Sequence, residues 1–146
     1  MGRVTPNSFK KIPFEGSWTP GQVCEHIRLA AGSMEKLMYG KTTASLRDPA
    51  EKAAQIESIF MNFDSKYSAP EFIDPEFKDY DQQRFIEVFS RLEQNILKAE
   101  QNLDLTQICN DFELPGMGPM TRLEWIAFVN FHTLRHINQL EKMPQS

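Results

Sequence analysis

TRLEWIAFVNFHTLRHINQL, residues 121–140, opens as a helix and carries two histidines four apart in a mostly apolar run. Thr121 can cap the first turn while Glu124 reaches back to it, the reciprocal arrangement of a capping box. Met120 and Trp125 occupy the two positions of a hydrophobic staple around that start. The spacing predicts a helix over about 122–142, ending before Pro144. Leu123, Ala127, Leu134 and Ile137 define one apolar side. Trp125, Phe128 and Val129 define another, shared with His132 and His136. A helix apolar on more than one face needs cover on more than one face, which a second subunit would supply in a homodimer.

Other helix starts are written the same way. In SWTPGQV, Thr19 can cap a helix whose first residue is Pro20, with Gln22 as the third residue of the box and Trp18 and Val23 as its staple. Val23, Ile27, Ala30, Met34 and Leu37 then keep helical spacing, so a helix is expected over about 20–39 with Gly40 as its stop. Asp48-Pro49-Ala50-Glu51 repeats the pattern and opens a helix expected over 49–66, carrying Ala53, Ile56, Ile59, Phe60 and Phe63. A further helix is expected over 80–102, with the stripe Phe85, Phe89, Leu92, Ile96 and Leu103 widened by Ile86 and Leu97. Residues 67–78 hold two prolines and no clean period, and read as a loop. LPGMGPM, residues 114–120, suits neither a helix nor a central strand, and no segment alternates convincingly enough to be read as a strand. The expectation is an all-α fold, most simply an antiparallel helical bundle, in a single domain over 1–146 whose residues 1–17 are irregular.

Composition narrows the function. The chain of 146 residues has a net charge of −4 and no basic block, which argues against nucleic acid as partner, since phosphate binding needs clustered Lys and Arg. No apolar run approaches the roughly 18 residues of a membrane span, and MGRVTPNSFKK lacks the apolar core of a signal peptide. Cys24 and Cys109 stand in unlike contexts without a CxxC, the usage of free thiols in a reducing cytoplasm.

The three histidines are the chemistry-bearing residues. His132 and His136 stack on one helix face at i and i+4, a spacing from which two imidazoles can converge on one cation. Taken alone, such a pair is more often a surface or satisfied core pair. His26 borders the Val23–Ile27–Ala30 stripe, so its ring can join them if the first and last helices are neighbours. Three imidazoles without a fourth protein ligand would leave one coordination position for water or substrate. The residues alone leave both readings open, a metal centre and three accommodated core histidines.

WTPGQVCEHI and PGMGPMTRLEWIAFVNFHTLRHINQL resemble the metal-binding helices of the DinB-like (YfiT-like) superfamily of metal-dependent enzymes, and KIPFEGSW and DFELPGMGP resemble the flanking segments. The similarity spans about Lys11 to Met143. It implies a DinB-like bundle and, position by position, the metal ligands His26, His132 and His136. The departure is at the front: members usually carry a long helix before the segment matching KIPFEGSW, and MGRVTPNSFK is too short and proline-interrupted for it, so that helix is expected to be absent.

The resemblance further implies a divalent metal, Zn or Ni first, and a small-molecule substrate. Members of assigned activity include transferases acting on low-molecular-weight thiols, so thiol activation at the metal is the leading expectation. Hydrolysis by a water acidified at the metal is the alternative, and a non-catalytic helical module with a structural metal, or none, is the reading from another class. No other cofactor is expected. No Asp or Glu is marked as a general base, so the catalytic residues stay unassigned: Glu25 adjoins His26 but points elsewhere on the helix, and Arg135 beside His136 reads first as a solvated or ion-paired side chain.

Overall fold

The computed structural model describes Phe9, Ile12 and residues 17–63 and 73–143. Four helices and a small sheet follow one another: α1 (Pro20–Met38), β1 (Thr42–Thr43), α2 (Ala53–Met61), α3 (Gln82–Asn102), β2 (Ile108–Leu114), β3 (Gly118–Thr121) and α4 (Arg122–Glu141). The expectations of an irregular stretch over 1–17 and of no first helix fall almost wholly on residues outside those described, as do the end expected for the second helix, 64–66, and the first part of the 67–78 loop.

Both threonine boxes form. Thr19 accepts from the Gln22 amide at 3.1 Å while the Gln22 side chain accepts from the Thr19 amide at 2.9 Å. Thr121 and Glu124 repeat the exchange at 3.1 and 2.9 Å. The box expected at Asp48 does not form. Its carboxylate accepts from the Ala50 amide in a tight turn, and regular helix begins only at Ala53, behind Lys52, whose own amide goes to Glu124 at 2.7 Å. A buried acceptor from α4 thus takes a donor that the helix start would have used. Gly40 ends α1 for a reason of packing rather than of left-handed backbone: a Cβ there would lie 2.2 Å from Asp111 Oδ2.

The helices pack in the order α3–α1–α4–α2. The start of α1 meets the end of α4, where His26 reaches His132, and the end of α1 meets the start of α4, where Arg122 Nε donates to the Met38 carbonyl at 2.8 Å. That pair is therefore antiparallel. Helix α2 runs alongside α4 in the same sense, with Lys52 at Glu124 and Asn62 at Arg135. Helix α3 likewise follows α1, Phe85 packing near Val23 and Cys24, and Ala99 sharing the cluster of Met34 and Met38. Successive helices reverse direction, so the mostly α, antiparallel class holds.

The expectation of no strand is corrected by a three-stranded antiparallel sheet, ordered β1–β2–β3. Its hairpin uses the LPGMGPM stretch, which suits neither a helix nor a central strand: Gly116 and Gly118 supply φ of 81° and 70°, conformations side chains disfavour. Pro119 sits in β3, an edge strand, where a missing N–H costs no ladder bond. The edge carbonyls of Met117 and Pro119 are taken by Lys52 Nζ, and Pro119 also by Arg47. Those donors come from a loop 65 or more residues earlier in the chain, so the strand is completed by partners its own sequence does not announce.

Burial is uneven across α4. Trp125, Phe128, Val129 and His132 are buried, whereas Leu134 and Ile137 stay 49% and 37% exposed. On α3, Ile86 and Leu97 are also about half exposed. The second apolar side of α4 is real, and its cover is incomplete among the described residues.

Candidate metal centre

The antiparallel α1–α4 contact brings the three histidines together. His26 lies two turns into α1, on the side that also buries Val23, Ile27 and Ala30. His132 and His136 lie one above the other in the second half of α4. His26 Nε2 is 2.9 Å from His132 Nε2, and His136 Nε2 is 3.2 Å from the same atom. Each residue offers one donor nitrogen, and all three lie within 4.8 Å of one another, with His26 and His132 buried and His136 partly so. Among the described residues this is the one group of three or more potential ligands, and no carboxylate or thiol belongs to it.

The far sides of two rings are tied off. His26 Nδ1 is 2.7 Å from the Ile73 carbonyl. A carbonyl can only accept, so the hydrogen of a neutral ring sits on Nδ1 and the Nε2 lone pair faces the cluster. His136 Nδ1 meets Gln139 Oε1 at 2.8 Å with the same consequence. His132 is held by rings: Phe128 stacks on it at 5.6 Å and 10°, and Phe60 meets it edge-on at 5.4 Å. Trp18, expected as a staple, also lies 5.0 Å from the His26 ring.

Charge at the cluster is unfavourable on these rings. Burial pushes His132 down to about 2, with His136, His26 and Arg135 adding repulsion. Burial and His26 push His136 down to about 4, against the opposing bond to Gln139. Burial lowers His26 too, offset in part by the Ile73 carbonyl and Asp74. Three neutral imidazoles result, two of them with acceptor nitrogens facing inward, and at most one hydrogen, on His132, lies among the three nitrogens. That single hydrogen can answer only one inward lone pair at a time, and a buried lone pair left without a donor is costly. A divalent cation would answer that arrangement: tetrahedral binding at about 2.0–2.1 Å from each nitrogen needs N···N separations of about 3.3 Å, near the 3.2 Å between His136 and His132 and wider than the 2.9 Å between His26 and His132, with the third pair within 4.8 Å. The donor set fits a metal.

Two of the neighbouring charged groups are committed elsewhere. Glu25 is held by Arg28, with Nη2 to Oε2 at 2.9 Å. Arg135 donates to the Phe60 and Asn62 carbonyls at 3.2 and 2.8 Å, where it caps the end of α2 and seats Phe60 against His132. Both cysteines are buried. Burial pushes the Cys24 thiol up to about 12 and the Cys109 thiol up to about 11, so neither is a ready nucleophile.

Sequence reasoning brought the three imidazoles together but missed the groups behind them. Gln139 stands three residues after His136, a spacing that places it on the same face and could have flagged it. The Ile73 carbonyl is backbone from a loop, and no residue type announces it.

No curated protein matches the chain, and no solved structure does. A family model does, over residues 1–140, a span that takes in both helices of the histidine cluster. With nearly its whole length covered by that match, the chain belongs to the DinB superfamily, whose members are known as metal-binding proteins.

Proposed function

We propose that the chain is a metal-dependent enzyme in which His26, His132 and His136 hold a divalent cation, zinc or nickel first. Its leading activity would be transfer of a low-molecular-weight thiol to a small electrophile. The observation that carries the reading is the convergence of three Nε2 atoms, two with their opposite nitrogens bonded to acceptors. A bound cation would supply Lewis acidity, lowering the pKa of a thiol or water at its free position.

The protein's own residues contribute orientation and dryness. Ile73 and Gln139 hold two ligands with Nε2 inward, and Phe60 and Phe128 fix the plane of the third. Arg135 ties the end of α2 over this side. The preference for thiol transfer rests on the resemblance to a superfamily whose members of assigned activity include thiol-using transferases, because three imidazoles serve hydrolysis equally well. The exposed Leu134 and Ile137 support a homodimer through α4, and two buried free cysteines suit a reducing cytoplasm. No helix among the described residues is long and apolar enough to cross a membrane.

The test begins with tag-free protein and elemental analysis. One metal per chain is expected, and His132→Ala should remain helical and metal-free. Protein that purifies empty and takes up neither Zn²⁺ nor Ni²⁺ defeats the enzyme reading. Loss of fold in His132→Ala, with metal bound to wild type, would make the metal structural. Loaded protein is then offered thiols with model electrophiles and, separately, ester and amide substrates. Turnover of the second set alone would replace transfer by hydrolysis.

A further inference from the structure

Ligand His136 is the most exposed of the three and lies closest to the end of α4. A ring so placed can rotate or change tautomer unless something behind it prevents this. The group behind it is Gln139, whose Oε1 is 2.8 Å from Nδ1. We infer that Gln139 is a positioning residue of the metal centre, whose amide oxygen accepts the Nδ1 hydrogen of His136 and keeps Nε2 free for the cation. The inference rests on the metal-centre reading and deepens it.

The chemistry of the side chain matters. An amide can present either face, and its NH₂ group would donate to Nδ1, sending the ring hydrogen to Nε2 and closing the ligand position. The oxygen-inward orientation is compatible with ligation, and the 3.2 Å approach of His136 Nε2 to His132 Nε2 requires that a lone pair face the cluster on at least one side. A neutral acceptor also leaves the positive charge of the cation undiminished, where a carboxylate would offset it and weaken the Lewis acid. His26 obtains the same service from a backbone carbonyl, which no substitution can remove. Gln139 is therefore the one of these two anchors that is open to mutation.

Outer groups of this kind are typically worth 10–100-fold in metal affinity. Gln139→Leu should weaken Zn²⁺ binding by about that factor in competition with a chromophoric chelator. Its metal-free melting temperature should stay within a few degrees of wild type. Nitrogen-15 spectra of the metal-free protein near pH 7.5 should show His136 with its hydrogen on Nδ1 in wild type and a tautomer mixture in the variant. Gln139→Glu, which keeps the acceptor, should bind Zn²⁺ at least as tightly as wild type. A leucine variant that binds within twofold of wild type, with an unchanged tautomer, overturns the role of Gln139 while leaving the centre intact. Wild type that takes no Zn²⁺ overturns the centre and this inference with it.

Discussion

Helix α4 buries titratable groups at two places, and they are opposites. Near its start Glu124 is fully buried, yet every part of its charge is answered. Arg47 donates to both oxygens at 2.7 and 2.9 Å, and the amides of Lys52 and Thr121 add bonds of 2.7 and 2.9 Å. Two turns later His132 is almost as buried, and what faces it is two more imidazole nitrogens. The first cluster is complete as protein. The second is a set of facing acceptors that a cation would complete. A closed polar cluster holds the fold, whereas an open one of matched acceptors is a place for a ligand.

The largest effect should come from opening the closed cluster. Glu124→Ala leaves the Lys52 and Thr121 amides without their acceptor and Arg47 with only Glu51 and the Asp48 and Pro119 carbonyls, and removal of one partner from a buried ion pair costs about 3–5 kcal/mol. Urea unfolding should register that loss, and added Zn²⁺ should not reverse the structural defect. A cost below about 1 kcal/mol would make the pair a surface ornament and erase the contrast.

Acid separates the two clusters next. The histidines are held below their ordinary 6.5 in the fold, so the unfolded chain binds protons that the folded chain refuses. Stability of the metal-free protein is full above pH 6.5 and falls below it by roughly 1.4 kcal/mol per pH unit each for His132 and His136, with His26 adding in the same direction. The loss continues towards about 4 for His136 and about 2 for His132. Burial alone would raise the Glu124 carboxyl, but Arg47 and the two amides hold it below its ordinary 4.5. Its contribution is present above 4.5 and is lost as pH falls through the lowered value. Metal-free protein should therefore begin to weaken about two pH units above the point where Glu124 acts, and bound Zn²⁺ should delay that onset. Melting curves from pH 8 to 4 with and without the metal check it.

A substitution inside the open cluster should cost far less. His132→Leu removes the central nitrogen and keeps an apolar group between Phe60 and Phe128. Metal-free protein should change by less than about 1 kcal/mol while losing all cation binding, since relief of the crowded nitrogens is offset by leaving His26 and His136 without the hydrogen His132 can offer. A loss above about 2 kcal/mol would mean that the imidazole is an ordinary core residue. The smallest effect tests the loop behind His26. Gln22 both completes the Thr19 box and donates through Nε2 to the Pro75 carbonyl at 3.4 Å, two residues past the Ile73 anchor. Gln22→Glu keeps the box and loses the donor, so it should weaken Zn²⁺ binding a few-fold, at a stability cost of about 0.5 kcal/mol. Unchanged affinity would confine Gln22 to capping.

What was legible in the sequence follows the range of the interactions. Thr19 and Thr121 cap helices through partners three residues away, so both boxes could be read directly. Asp48 carries the same signature and misleads, because Glu124, far along the chain, takes the Lys52 amide. The hairpin was invisible because ICNDFEL alternates weakly and because Arg47 and Lys52, from another loop, cover the edge of β3. The site divides in the same way. The i, i+4 histidine pair is local, and His26 joined it through helix periodicity and family resemblance. The Ile73 carbonyl has no side-chain signal at all.

X-ray absorption at the zinc edge of loaded protein, with His26→Ala and His136→Ala as comparisons, tests the central claim most directly. The account predicts three imidazole nitrogens at about 2.0–2.1 Å in wild type, and one fewer, or no bound zinc, in each variant. Zinc absent from wild type, or bound with the same imidazole count in all three proteins, would contradict it.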